Sequence, residues 1–334
     1  MMYDVEFNSS VAYPARDVVE LATVAEAVGF SAFWEGEANN MEPMVLLSAI
    51  AARTTTLQLG TAICHVYGRS PATLATQVAT LNDYSDGRVL LGLGASNPRI
   101  AGWHGATFGA PLQRMREYAT IVRELQTGTR SSVEGAFYSS ADFKLAWKPQ
   151  HSEIEVFIAA LGPKMTELAG EISNGAVLNM TDPALVRSIK KNVERGAARA
   201  GKDPAKVDIV TKVRCTVNKD LDVARQPLKK VLTFYSLAEY YRQMISGMGL
   251  EREIEAIHAA YRSGGFEEAM KVIPDAMLDK LPLLAATSAE EVRERVAPYE
   301  EAGSTRIVVT YVPALDDLFS EVKDFLTSWE RSAP

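Results

Sequence analysis

Glu6 lies in the run Tyr3-Asp4-Val5-Glu6-Phe7, where acidic and apolar residues alternate. Successive side chains of a strand face opposite ways, so Glu6 can point into whatever interior the strand helps to enclose. A carboxyl in a narrow apolar enclosure loses solvation and its neutral form gains, which is the condition for a general acid. The other reading is a salt bridge or hydrogen bond to a neighbouring strand. A second acid, Glu37, stands in Glu35-Gly36-Glu37-Ala38-Asn39-Asn40 and reads equally as a catalytic acid or as a solvated loop residue. In Ala160-Leu161-Gly162-Pro163-Lys164, Pro163 suits a first helical position and Gly162 lets the backbone approach a ligand. Free N–H groups, the helix dipole and Lys164 would suit a phosphate there, though a plain helix start has the same pattern.

Other chemistries are disfavoured. Gly92-Leu93-Gly94 lacks the third glycine of a dinucleotide fingerprint, and the following Ser96, Asn97 and Pro98 suggest no nearby helix, which excludes a Rossmann reading. His65, His104, His151 and His258 are scattered without metal-binding spacing, so no metal site is expected. His65, near a strand end, is the better functional candidate; His104 reads equally as a structural histidine. No G-x-S-x-G occurs, which disfavours a serine hydrolase. Cys64 and Cys215 are too far apart for a C-x-x-C motif and read as packing thiols. The Met and aromatic residues of 234–248 fall at helical spacing, which favours core or a subunit interface over a cofactor site.

The positioning elements repeat one pattern, an amphipathic helix, a Gly or Asp turn and a β-branched run. Val18, Leu21, Ala22, Ala25 and Val28 share a helical face that stops at Gly29. Ser288 and Glu291 form a capping box for a helix ending at Gly303. Eight strands are expected, over 3–7, 30–34, 57–63, 89–93, 156–160, 176–179, 207–217 and 306–312. Apolar strands alternating with helices point to a single-domain (β/α)8 TIM barrel spanning 1–334, with insertions at about 95–154 and 218–286. Reactive groups then belong at the C-terminal strand ends. These ends carry Glu6, Asn8 and Ser9, then Glu35 to Asn40, then Cys64, His65, Tyr67 and Arg69.

The 334 residues hold 42 acids against 35 bases, a formal charge of −7 without a long Lys/Arg block. Nucleic acid and anionic membranes are therefore not expected partners, and a small molecule is. No stretch approaches the roughly 18 apolar residues of a membrane span. The start MMYDVEFNSS lacks a basic region, so a cytoplasmic protein without a secretory signal is expected.

The chain resembles the bacterial luciferase-like superfamily of barrel flavoenzymes, most closely its F420-dependent (deazaflavin) branch that contains methylenetetrahydromethanopterin reductase. The resemblance rests on VEFN, FWEGEANN, LGTAICHVYGRSPATLATQVATLNDYSDGRVLLGLG, AALGPKMTELAGEISNGAVLN and RSGGFEEAMKVIPDAMLD, and spans nearly the whole chain. It implies a cofactor ring at the barrel mouth against the third strand, where the family carries a non-prolyl cis peptide, here matched to Ala62–Ile63. Coenzyme F420, rather than FMN, is the implied cofactor, bordered by Ala62, Ile63, Cys64 and His65. Its tail is implied near Ala160, Leu161, Gly162, Pro163 and Lys164. Gly94, Ala95, Ser96 and Asn179 border ring or substrate, and Asn39 and Asn97 border substrate. The implied activity is hydride transfer to a methylene-tetrahydropterin, with Glu6 as the acid or its orienting partner and Glu37 matching the family's Asp. Four positions depart from the pattern: Glu37 is followed by no His, His65 replaces an Asn, Asn97 an acid, and Leu161 a residue that is often polar. An FMN-dependent monooxygenase or reductase and a non-catalytic ligand-binding barrel are the alternatives, and a homodimer is the family expectation.

Overall fold

The computed structural model describes residues 1–7 and 13–331, so Asn8 and Ser9 lie outside the described residues. Its strands are β1 (Met2–Phe7), β2 (Ala32–Glu35), β3 (Gln58–Thr61), β4 (Cys64–His65), β5 (Val89–Gly94), β6 (Glu155–Ala159), β7 (Gly175–Asn179), β8 (Asp208–Val217), β9 (Leu283–Ala286) and β10 (Arg306–Tyr311). Eight of them pair in parallel in the order β1, β2, β3, β5, β6, β7, β8 and β10, and β10 returns to β1. The ring is closed, a (β/α)8 barrel. The short β4 extends the β5 edge beyond β3, and β9 adds to the end of β8.

All eight expected strands are present. The stretch 218–286 holds helices Leu221–Ser236, Glu239–Ile245 and Glu251–Lys271, but it ends in β9 rather than in helix. A further correction concerns the Gly92–Gly94 turn: helix Pro98–Trp103 starts directly after Asn97, whose Oδ1 accepts from Ile100 N at 3.1 Å. Within the expected insertion, residues 128–152 form an excursion with an antiparallel bridge between Ser131 and Phe143.

Sequence chemistry explains the helices around the ring. Helix Ala15–Ala27 buries Val18, Leu21, Ala22 and Ala25, and Gly29 follows at φ 93°, a left-handed turn that glycine takes without a Cβ clash. Ser288 caps helix Ala289–Glu301 by accepting from Glu291 N, while Glu291 Oε2 reaches back to Thr287 N at 2.7 Å.

Side chains fill the barrel in layers. At the N-terminal end Arg306 Nε donates to Asp4 Oδ2 at 2.7 Å, and Trp34 Nε1 donates to the same oxygen at 2.9 Å. Above the Asp4–Arg306 pair the Trp34 ring joins Leu90, Phe157, Val177, Val210 and Val308 in an apolar plug. A Cβ on Gly60 would lie 2.3 Å from the Trp34 ring, so the bare glycine is what admits the indole. No helix among the described residues is long and apolar enough to cross a membrane.

Candidate functional site at the C-terminal mouth of the barrel

After Gly60 the ladder between β3 and β5 is interrupted. The Ala62–Ile63 peptide is cis, at the matched position. Thr61 fills the gap with its side chain: Oγ1 donates to Gly92 O at 2.8 Å and accepts from Gly92 N at 2.9 Å. Pairing then resumes, with Cys64 opposite Leu93 and His65 opposite Gly94. On the other side Ala62 N donates to Glu35 O at 2.8 Å, and Glu37 N donates to Ile63 O at 3.0 Å. The bulge is thus bonded to both neighbouring strands.

The floor of the mouth is polar. Glu6 does point inward, but not into apolar surroundings: Lys212 Nζ lies 2.6 Å from its Oε1, and Thr310 Oγ1 donates to Oε2 at 2.6 Å. The salt-bridge reading of Glu6 is the observed one. Lys212 also stands 3.5 Å from Ala62 O, linking β8 to the bulge. The desolvated acid is Glu35, at the end of β2. Burial, then the neighbouring Glu6 charge, push its carboxyl up to about 8, against the opposing pull of Lys212. Asn40 Nδ2 donates to Glu35 Oε1 at 2.6 Å.

Glu37 is not a solvated loop acid. Its Oε1 meets the Arg69 guanidinium in an ion pair, and its Oε2 accepts from His65 N at 2.9 Å. Arg69 Nη1 also lies 3.0 Å from Glu42 Oε1. His65 is buried, and its Nε2 lies 3.1 Å from Nε2 of the exposed His104. Burial holds the His65 imidazole below its ordinary range, with His104 and Arg69 adding to the effect and Glu37 opposing it. The two histidines that sequence reading separated are therefore a pair.

Across the mouth, Asn179 at the end of β7 accepts from Arg214 Nη1 at 2.8 Å and donates to the Tyr241 hydroxyl at 2.8 Å. Arg214 Nη2 donates to Tyr235 OH at 2.8 Å. Tyr240 packs beside the Gly162 loop, 3.4 Å from where a Cβ would stand. The core reading of 234–248 holds for Tyr235, Tyr241, Met244 and Met248, which pack on an apolar cluster that includes Ile245, while the Tyr235 and Tyr241 hydroxyls also bond to Arg214 and Asn179. Pro163 and Lys164 open helix Pro163–Ile172 and are exposed, Ala160 and Ala95 are buried, and Leu161 is half-buried. Ser96 adopts a left-handed φ of 55°. Asn39 is exposed, and it is Asn40 that bonds inward. Cys64 and Cys215 are free, buried thiols; burial pushes Cys64 up to about 12.

Lys212, Arg214 and Thr310 were missed by sequence reading. The signal for Lys212 and Arg214 was legible, because alternation along Asp208–Val217 places them on the same inward face as Val210.

Residues 4–306 match the family model described as luciferase-like monooxygenase. The chain is 31% identical over 314 residues to the 5,10-methylenetetrahydromethanopterin reductase of Archaeoglobus fulgidus, covering 92% of each. It shares its fold with the coenzyme F420 dependent tetrahydromethanopterin reductase of Methanopyrus kandleri, at a TM-score of 0.84 and 24% identity, with 98% of this chain and 97% of that one covered. An F420-dependent secondary alcohol dehydrogenase in complex with an F420-acetone adduct has the same fold, at a TM-score of 0.79 and 20% identity over 100% and 99% of the two chains. With a match across most of its length and the bulge on its third strand, the chain belongs to the luciferase-like monooxygenase family.

Proposed function

We propose that the protein is an F420-dependent oxidoreductase that passes a hydride between the deazaflavin and a small substrate at the barrel mouth, with a methylene-tetrahydropterin as the leading substrate class. The observation that carries this reading is the Ala62–Ile63 bulge facing the buried Glu6–Lys212 pair, in a chain 31% identical to a methylenetetrahydromethanopterin reductase. The residues present fit the cofactor. The bulge offers a backbone shelf for a flat ring, and Lys164 opens a helix with its ammonium exposed, a setting for an anionic tail. When bound, the deazaflavin supplies a hydride donor or acceptor at carbon that reacts poorly with oxygen.

The chain's own groups handle the proton. Reduction of a methylene-pterin requires a proton at the departing nitrogen, and the carboxyl beside the mouth that burial and the Glu6 charge push up, to about 8, into the range of a general acid is Glu35. Lys212 and Thr310 fix the two oxygens of Glu6, so Glu6 acts on the Glu35 proton through its charge.

The test is to titrate pure protein with oxidised and reduced F420 and follow fluorescence. Micromolar binding is expected. No binding, together with tight FMN binding and a yellow, oxygen-reactive preparation, overturns the reading in favour of the FMN-dependent alternative.

A further inference from the structure

Arg214 is a buried cation without a counter-charge. It is 4% exposed, yet among the described residues it forms no ion pair; its partners are the Asn179 carbonyl, the Tyr235 hydroxyl, the Met180 sulfur at 3.8 Å and the face of the Tyr235 ring. All are neutral. A buried charge is ordinarily matched by an opposite one, because neutral dipoles replace only part of its lost hydration. Here the neutral partners orient the guanidinium and leave its charge unanswered. Nearby, Thr181 is also buried, and its hydroxyl has no partner among the described residues.

The position is informative. Around the closed ring β8 stands four places from β3 in either direction, so Arg214 belongs to the strand diametrically opposite the bulge. Lys212, on the same face of β8, already reaches Ala62 O at 3.5 Å and defines the floor. Arg214 is two residues further toward the mouth, which raises its backbone roughly 6.5 Å above that of Lys212. A molecule lying on the bulge would therefore find Arg214 on the facing wall.

We propose that Arg214 is an oxyanion anchor that binds a carboxylate or phosphate carried by the substrate, so that the protein selects small anionic substrates. This rests on the F420-dependent reading above. The cofactor's own tail is the other source of an oxyanion, but the exposed Lys164 at the Gly162 loop already offers it a cation open to solvent, whereas Arg214 is buried within the mouth. The planar guanidinium, held at both Nη atoms, suits a compact oxyanion.

Wild-type protein, R214K and R214M are titrated by fluorescence with F420 and with the deazaflavin riboside that lacks phosphate and tail. The F420 complexes are then titrated by calorimetry with acetate, benzoate and inorganic phosphate, and with neutral benzamide. At least one anion is expected to bind the wild type, about tenfold or more weakly to R214M, and with an intermediate loss in R214K, which keeps the charge but not the fork. Benzamide binding and F420 affinity are expected to stay within about threefold. R214K, with matching melting curves, separates a lost anchor from a damaged fold. The anchor is overturned if none of the anions binds the wild type, or if anions bind R214M as well as wild type. It is also overturned if R214M weakens F420 but not the riboside, which assigns Arg214 to the cofactor tail. Should wild-type protein bind neither deazaflavin, the functional reading fails by itself, and the anion titrations on cofactor-free protein still decide the anchor.

Discussion

Lys212 Nζ lies 2.6 Å from Glu6 Oε1 in a pair whose side chains are 9% and 5% exposed, and Thr310 holds the other oxygen of the same carboxylate. Strands from the two ends of the chain, β1 and β10, are thereby tied to β8 by one charge pair. Removing one partner strands the other charge in a poorly solvated site. The K212M variant is expected to lose about 3–5 kcal/mol in urea denaturation. The E6Q/K212M double variant should regain much of that loss, because neither charge is then left alone. A double variant no more stable than K212M would contradict the pairing.

Glu35 predicts a pH dependence. Burial and the Glu6 charge raise its carboxyl from 4.5 to about 8 in the folded protein, so the folded state holds the proton more tightly than the unfolded chain. Its contribution to stability is complete below about pH 4.5, is lost as pH rises toward 8, and changes no further above that. E35Q removes this loss. Unfolding free energies of wild type and E35Q from urea denaturation between pH 5 and 9 should diverge by about a few kcal/mol across that window, E35Q becoming the more stable. Parallel curves would show that Glu35 is already ionised.

The imidazole of His65 has an assigned geometry. Its Nδ1 accepts from Tyr67 N at 3.3 Å, which places the proton on Nε2, facing His104 at 3.1 Å. Burial keeps the folded value below 6.5, so the stability this histidine contributes is present above pH 6.5 and is lost as pH falls through the folded value. Nitrogen NMR of the ring should report a neutral Nε2–H tautomer at pH 7. Replacing His104 by Ala should move the titration upward, since the His104 charge is one of the causes that depress it. A protonated His65 at pH 7 would refute the assignment.

Thr61 substitutes for missing backbone pairing. Changing it to the near-isosteric Val leaves both the N–H and the C=O of Gly92 buried without their hydroxyl partner. A loss of roughly 2–4 kcal/mol is expected from denaturant unfolding. Ser, which keeps the hydroxyl, should restore most of it, and a T61V protein as stable as wild type would mean that the bulge is held by other contacts.

Much of the barrel could be read locally. The 3.6-residue spacing of Val18, Leu21, Ala22 and Ala25 and the cap at Ser288 depend on neighbours a few positions away. β9 was hidden because Leu-Leu-Ala-Ala is too short for periodicity to separate strand from helix, and only pairing with Arg214–Val217 decides it. The site was half legible. Glu6, Glu37 and His65 announced themselves at strand ends, whereas choosing Glu35 as the desolvated acid required knowing that Lys212, far along the chain, bonds directly to Glu6. Lys212 and Arg214 did break an apolar run. Their inward direction was readable, but their partners were not.

The packed base of the cylinder, where the Arg306–Asp4 pair lies beneath the Trp34 ring and its apolar neighbours, makes the barrel a blind-ended vessel. Two molecules that meet above it share one doorway. On the proposed function the deeper of the two arrives first and leaves last, an order set by the closed base and not by which of them binds more tightly.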